Sequence, residues 1–313
     1  MLHVFGGLLL ENLALKDDYF ALQQHLFEDG LTHGIQLRVA HPRFTPGLTS
    51  EKLARVLSRL PGKEVFFHCG AENTGVDFGG IFDECGEFKS RASGRSWDSW
   101  NLDTLRGSIR MAEVARKLGY NVRGIVVHPG YGEDKTDAFS LSRILTTLEE
   151  FYGYNIFLEN VPPIVDKALC PSNKDMSLWS RNNYWGFGGT PDDMGILLRS
   201  LGRGWKCLID FTHLAVMVNQ AKKGFMAIAP EWRDIDQAIA GYFALPHSSV
   251  CHFSGVPPED VLADSHDYLA NFSPAIRQAL RKMEVVCLEI PFKPQEEESV
   301  KNAIREFRRQ YVD

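Results

Sequence analysis

Eight short apolar runs, spread over the 313 residues, constrain the fold more than any other feature of the sequence. Each is rich in β-branched or aromatic residues, and helical patterns lie between them, which is typical of β–α units in a parallel sheet. The runs are LHVFG (2–6), IQLRVA (35–40), EVFFH (64–68), RGIVVH (123–128), NIFLE (155–159), KCLID (206–210), SVCHF (249–253) and VVCLEI (285–290). Eight such units predict an α/β fold, a (β/α)8 TIM barrel in which residues 1–313 form a single domain.

Helix boundaries can be recognised between the runs. Ser50 is predicted to cap a helix that stops at Pro61-Gly62, and Thr190 to cap one that has Pro191 at its first position. Further helices are predicted over 102–118, 140–153, 231–244, 273–283 and 296–311. An open doubly wound sheet is the alternative fold. No Gly-x-Gly-x-x-Gly follows any run, so we expect no dinucleotide cofactor.

Composition and charge limit the partners of the chain. Hydrophobic residues make up 44% of it, yet no apolar run reaches the roughly 18 residues that a membrane span needs. The opening segment lacks a basic leader and the six cysteines form no CxxC pair, so we expect a cytoplasmic protein without membrane contacts or a disulfide framework. The net charge of −6 argues against wrapping nucleic acid with the whole surface. Bound divalent cations can nevertheless make the field of one site positive.

Imidazoles and carboxylates stand at or just after the ends of six consecutive runs, the third to the eighth. They are His68, His128, Glu159, Asp210, His213, His252 and Glu289, and Asp264 and His266 follow in the loop after the seventh run. In a barrel, the C-terminal ends of all strands converge on one rim. Because buried charges are costly without partners, the cluster predicts bound metal ions. The absence of thiolates from it favours Zn²⁺ or Mn²⁺, with Fe²⁺ as an alternative, and the ligands outnumber what one ion can use.

The order of these motifs carries a family resemblance. The motifs are VHPG (127–130), LEN (158–160), DxxH (210–213), the histidine of the seventh run, DxH (264–266) and LE (288–289). Together they resemble the xylose isomerase-like barrel superfamily, and most closely its endonuclease IV branch, which holds three metal ions. The resemblance implies that the nine side chains above bind up to three ions, Zn²⁺ or alternatively Mn²⁺, and that Glu159 bridges two of them.

The same resemblance implies a hydrolase that cleaves the DNA backbone at abasic or damaged sites, with Glu159 and Glu289 as catalytic residues. Clustered cations suit this reaction, because one lowers the pKa of a water and the others stabilise charge on the attacking and leaving oxygens. Histidines ligate only when neutral, so activity should fall below about pH 6. Two features depart from the branch. Phe-Ser-Gly follows His252 where the branch has a hydrophobic residue, Asn and Asp, and SHDYL (265–269) with HGIQLRVAHPRF (33–44) is similar to the UV damage endonucleases.

Two predicted connections, 70–100 and 161–190, are longer than plain barrel loops, and both follow strands at the predicted C-terminal rim. In the first, four residues are predicted to contact substrate, since cationic side chains bind phosphate and tryptophan stacks on bases: Lys89, Arg91, Arg95 and Trp97. The alternative is a solvated loop whose tryptophans hold it against the barrel.

A sugar isomerase or epimerase of the same superfamily is the main alternative function, with a small sugar as substrate instead of damaged DNA. Such proteins resemble this chain in four ligands of a single ion: Glu159, Asp210, His252 and Glu289. They do not ordinarily need His68, His128 or the DxH element, so these residues favour the nuclease-like function. A non-enzymatic binding module is less favoured, because a closed structural site would not need so many ligands.

Overall fold

The described part of the chain is defined by a computed structural model. It comprises residues 3–9, 16–39, 49–60, 64–69, 97–132, 154–163, 185–186, 188–201, 204–224, 230–262 and 271–312. The predicted single domain over residues 1–313 stays a prediction, because much of both long connections lies outside these ranges.

A closed barrel of eight parallel strands forms the centre of the molecule, and the predicted (β/α)8 fold is confirmed. Each strand pairs with its neighbours in chain order, and the first closes onto the last through His3 and Val285. The strands are β1 (His3–Leu9), β2 (Gly34–Val39), β3 (Glu64–Cys69), β4 (Asn121–Val127), β5 (Ile156–Glu159), β6 (Lys206–Asp210), β7 (His247–Phe253) and β8 (Val285–Leu288). A separate antiparallel pair joins Tyr131–Gly132 to Trp185–Gly186.

Helices connect these strands around the outside of the barrel. Those in the described ranges are α1 (Asp17–Glu28), α2 (Ser50–Leu57), α3 (Trp97–Lys117), α4 (Pro191–Leu201), α5 (Phe211–Lys222), α6 (Ile235–Phe243), α7 (Pro274–Leu280) and α8 (Glu297–Phe307). The helix predicted over 140–153 lies outside the described residues. No helix in the described ranges is both long and apolar enough to cross a membrane.

The sequence prediction missed α1 and α5, because neither has a simple apolar stripe. Every residue of α5 from Phe211 to Ala221 is buried, so apolar side chains occur on all of its faces. Helix α1 turns Gln23 inward, where the amide donates a hydrogen bond to the Thr32 hydroxyl at 3.2 Å. Polar residues that are buried in this way remove the periodicity on which the prediction depends.

Helix starts agree only in part with the prediction. Thr49, and not Ser50, caps α2: its backbone is extended and its hydroxyl accepts a hydrogen bond from the Lys52 N–H at 3.2 Å. The predicted cap at Thr190 is confirmed, since its hydroxyl accepts from the Asp193 N–H at 3.2 Å. Helix α3 starts at Trp97, before the predicted residue 102, so Trp97 belongs to a helix and not to a loop.

Two apolar layers stabilise the barrel. The larger lies between the sheet and the surrounding helices. The smaller fills the inside of the barrel, and we call it the barrel plug: Phe5, Phe66, Val126, Phe157, Leu208, Val250, Val285 and Cys287. The cysteines in the described ranges are buried: Cys69, Cys207, Cys251 and Cys287. The plug therefore gives the space above it a closed, apolar floor.

Candidate metal centre

A polar layer lies directly above the barrel plug, toward the C-terminal rim. Residues i and i+2 of a strand face the same side of a sheet. Six plug residues are each followed two positions later by an imidazole or a carboxylate: His68, His128, Glu159, Asp210, His252 and Glu289. Each of the six is at most 8% exposed. The strand register thus gathers in one buried layer six ligands that the sequence predicts.

Glu159 is at the centre of this layer. Its Oε2 atom lies 3.1 Å from Nε2 of His68 and 3.1 Å from Nε2 of His128. Its Oε1 atom lies 3.1 Å from Nδ1 of His252 and 3.4 Å from Nδ1 of His213. The two oxygens of one fully buried carboxylate therefore face different sets of imidazoles.

The contact between His68 and Glu159 places two hydrogen-bond acceptors against each other. Nδ1 of His68 lies 2.6 Å from the carbonyl oxygen of Cys69, to which it must donate. Burial lowers the pKa of His68 to about 4, so the imidazole is neutral at pH 7 and Nε2 carries a lone pair. That lone pair faces the Oε2 carboxylate oxygen of Glu159. A shared cation resolves the conflict, since bonds of about 2.0–2.1 Å at roughly 100° place two ligand atoms about 3 Å apart.

His252 holds the opposite side of Glu159. Burial disfavours a charged imidazole there, but the carboxylates of Glu159 and Glu289 outweigh burial and hold the pKa of His252 well above its usual range. Burial likewise works to raise the pKa of Glu159, yet His252 and His128 hold it well below its usual range. Within the described residues, neither ring nitrogen of His252 nor Oε1 of Glu159 has a hydrogen bond of good geometry. Such buried polar atoms are costly, so a bound cation suits this position.

Asp210 and His213 connect the layer to helix α5. Oδ1 of Asp210 caps that helix by accepting from the Thr212 and His213 N–H groups at 2.6 and 2.9 Å. Nδ1 of His213 lies 2.8 Å from the carbonyl oxygen of Asn160 and donates to it, so Nε2 carries the lone pair. The helix cap therefore fixes the position of His213, and the Asn160 carbonyl fixes its tautomer.

Glu289 ends the layer beside strand β2. Its Oε1 atom accepts a hydrogen bond from Nε2 of Gln36 at 2.9 Å, and a guanidinium nitrogen of Arg38 lies 3.5 Å away from the same oxygen. Neither Gln36 nor Arg38 was predicted from the sequence to belong to the site. In the structure they align with Phe66 and His68 of β3, which face inward. The period of two along the IQLRVA run is the sequence signal that could have identified them as inward residues.

The described ligands form three overlapping groups in which the ligand atoms lie within 4.8 Å of one another. The groups are His68, His128 and Glu159; His68, His252 and Glu289; and Glu159, Asp210, His252 and Glu289. Each could hold a metal ion, and Glu159 belongs to two of them. The arrangement therefore fits divalent cations in number, donor type and spacing.

Several predicted site residues cannot be placed. The predicted ligands Asp264 and His266 lie outside the described residues, and so do the predicted substrate contacts Lys89, Arg91 and Arg95. Trp97 begins helix α3, but its side chain is not among those described. Their roles as ligands and substrate contacts stay predictions.

Comparisons with known proteins find solved structures of similar fold. Neither protein-family models nor curated proteins give a match. Endonuclease IV from Thermus thermophilus matches with a TM-score of 0.55 at 16% identity, covering 97% of this chain and 98% of that one. The 3-keto-D-glucoside 4-epimerase from E. coli matches with 0.55 at 16%, covering 99% and 100%. An L-ribulose 3-epimerase matches with 0.55 at 12%, covering 100% and 93%.

At these identities the likeness shows the fold alone. The neighbours confirm the expected TIM-barrel fold, and they include an endonuclease and epimerases with equal TM-scores. The fold does not determine the reaction, which depends on the side chains of the site.

Proposed function

We propose that the chain is a metal-dependent phosphodiesterase that hydrolyses the DNA backbone at abasic or otherwise damaged sites. The position of Glu159 carries this proposal, because its Oε2 faces His68 and His128 while its Oε1 faces His252. A carboxylate that serves two ligand groups is suited to bridge two ions. Paired ions favour phosphodiester hydrolysis, in which charge develops on both the attacking and the leaving oxygen.

We assign one ion to each of two ligand groups. One ion would be held by His68, His128 and Glu159, on β3, just after β4, and on β5. A second would be held by Glu159 with Asp210, His252 and Glu289. A third would need His213 together with Asp264 and His266. We propose Zn²⁺ for these sites, with Mn²⁺ as the alternative, since the donors are nitrogen and oxygen without sulfur.

When bound, the ions would lower the pKa of a water and stabilise negative charge on the phosphate. The chain itself supplies orientation and a dry floor. Glu159 keeps the ligand groups together, the plug excludes water from below, and Gln36 holds the Glu289 carboxylate at the mouth. We assign to the Glu289 carboxylate the acceptance of a proton from the attacking water, and to Glu159 the positioning of that water.

Four residues of this chain are proposed to contact the substrate. The sequence places Lys89, Arg91, Arg95 and Trp97 in or after the connection that follows β3, which leaves the barrel on the same side as the ligands. Cationic side chains and an indole there suit a nucleic-acid backbone and an unstacked base.

A sugar isomerase or epimerase is the second candidate, and one observation favours it. The four-ligand group of Glu159, Asp210, His252 and Glu289 can hold one ion without help from other residues. In this alternative the substrate is a small sugar, and His68 and His128 are not ligands.

Cleavage of defined duplexes tests the proposal. Protein loaded with Zn²⁺ or Mn²⁺ should nick a duplex that carries an abasic site or a UV photoproduct, and Glu289→Gln should reduce the rate by ~10²- to 10⁴-fold, as loss of a general base does. Glu284→Gln is the matched control, because Glu284 lies just before β8 at the opposite end of the barrel, is exposed and pairs with Arg123. The DNA assignment fails if the loaded wild-type protein leaves both duplexes intact, and epimerisation of a ketose by that sample would favour the second candidate.

A further inference from the structure

Strands β1 and β2 line the polar layer without contributing a predicted metal ligand. Gly7 and Gln36 are paired in the register of the two strands, and the Gln36 amide contacts Glu289. The next inward residue of β2 is Arg38, which is paired with His68 across the β2–β3 ladder. One side of the barrel mouth is therefore formed by a glycine, an amide and a guanidinium.

Gln36 keeps Glu289 from forming a tight ion pair with Arg38. The Gln36 amide donates to Glu289 Oε1 at 2.9 Å, whereas the guanidinium is 3.5 Å from that oxygen, the limit of a hydrogen bond. Gln36 is 1% exposed, and within the described ranges its Oε1 has no hydrogen-bond partner. A Cβ on Gly7 would lie 3.2 Å from the Leu288 carbonyl oxygen, so glycine leaves room beside this contact.

Arg38 has one polar contact among the described residues, the long one to Glu289. Its side chain is 21% exposed, so it reaches solvent at the mouth while its neighbour His68 is fully buried. A guanidinium presents five donors, and a single marginal contact leaves most of them for another acceptor.

We propose that Arg38 binds the anionic group of the substrate, a phosphate oxygen, beside the metal centre. This inference rests on the proposed function and makes its substrate class specific. Phosphate matches the planar fork of a guanidinium, whereas a neutral sugar has no group that would use its charge.

The charges of the centre agree with an anionic ligand. The described ligand groups contain three carboxylates, Glu159, Asp210 and Glu289. One divalent ion together with Arg38 would neutralise them, and a second ion would leave two positive charges at a buried site. Such an excess of positive charge attracts anions, because the ions dominate the local field.

Titration with inorganic phosphate tests the inference. Phosphate is added to Zn²⁺-loaded protein that has been freed of excess metal, and the heat of binding is measured for wild type, Arg38→Gln and Arg38→Lys. Arg123→Gln is the control, since Arg123 lies at the opposite end of the barrel and pairs with Glu64. We expect Arg38→Gln to weaken phosphate binding about 10- to 100-fold, the effect of losing a charge-assisted hydrogen bond. Arg38→Lys should give an intermediate loss and Arg123→Gln none.

Metal content and melting temperature are measured on the same samples. Equal phosphate affinity in wild type and a fully loaded Arg38→Gln would overturn the inference, and so would a wild-type protein that binds no phosphate. If Arg38→Gln loses metal, Arg38→Lys decides: full metal with unchanged affinity contradicts the role of Arg38, and weaker binding supports it. A single ion per chain would count against the phosphodiesterase proposal separately, because it is read from the metal content and not from phosphate.

Discussion

The acidic side chains at the two ends of the barrel have different partners. At the N-terminal end, Glu64 is 2.8 Å from a guanidinium nitrogen of Arg123 and accepts from the Asn121 amide at 3.0 Å. At the C-terminal end, Glu159 is fully buried and faces imidazoles, of which His68 presents a lone pair to it. Acids at the first end are matched by cations of the chain itself, whereas acids at the second converge on one another.

This difference indicates which end serves stability and which serves chemistry. Paired charges near solvent contribute little individually and need nothing from outside the chain. A buried cluster with three carboxylates and one guanidinium requires additional positive charge, and the imidazoles around it are ligands that divalent cations prefer.

Replacement of the central carboxylate should give the largest effect. Glu159→Gln removes the charge that both ligand groups share, so we expect bound metal to fall by two ions per chain and cleavage to fall by at least ~10³-fold. Glu64→Gln, the same change at the other end, should keep full metal content and lose at most about 1 kcal/mol of stability. Elemental analysis and a nicking assay measure both variants. Equal metal content in Glu159→Gln and Glu64→Gln would contradict the assignment of metal binding to the C-terminal end of the barrel.

Metal removal should destabilise the wild-type protein strongly. An ion present at 1,000 times its Kd adds about 4 kcal/mol to the free energy of unfolding, because it binds only the folded chain. We expect the melting temperature to drop on dialysis against a chelator, and to recover when Zn²⁺ is returned. Glu159→Gln should show little of this drop. A wild-type protein that melts at one temperature with and without its metal would argue against a bound cation.

The metal-free protein should be most stable near pH 6.5. His68 has a folded pKa of about 4, below the usual 6.5, so the stability that it contributes is lost as the pH falls through that window, on the order of 3 kcal/mol. Glu159, whose pKa is held well below its usual range, loses its contribution at still lower pH. His252 has a raised pKa, so its contribution is full below pH 6.5 and declines as the pH rises through the folded pKa.

Bound metal should remove the alkaline decline, because a ligated His252 carries no proton for the folded state to lose. Urea unfolding between pH 5 and 9, with and without Zn²⁺, measures both curves. A metal-free stability that keeps rising above pH 7 would contradict the assignment of a proton to His252.

The smallest effect should come from a hydrogen bond at the N-terminal end. The Tyr120 hydroxyl is buried and donates to the carbonyl oxygen of Leu57 at 2.5 Å. Tyr120→Phe should cost about 0.5–1.5 kcal/mol and change neither metal content nor phosphate binding. Chemical denaturation measures the loss of stability. If Tyr120→Phe also loses metal, the two ends of the barrel are coupled, and the N-terminal end does not serve stability alone.

The sequence predicted the strands and the positions of the buried imidazoles and carboxylates together, because both follow from alternation. An inward apolar residue such as Phe157 implies an inward residue two positions later, and Glu159 occupies that place. Gln36 and Arg38 follow the same rule on β2 but were not predicted, because neither an amide nor a guanidinium is a usual Zn²⁺ ligand. Helix α5 was missed because burial on every side removes its periodicity. The tautomers of His68 and His213 depend on backbone carbonyls, which no sequence pattern specifies.

Elemental analysis of wild type and of a His68→Ala, His128→Ala variant tests whether Glu159 bridges two ions. These two histidines belong to the ligand group that a single-ion barrel does not need, and the four-ligand group around Asp210 keeps all its members in the variant. We predict two or three ions per wild-type chain and the loss of one from the variant. A single ion in both proteins would contradict a bridged centre at Glu159.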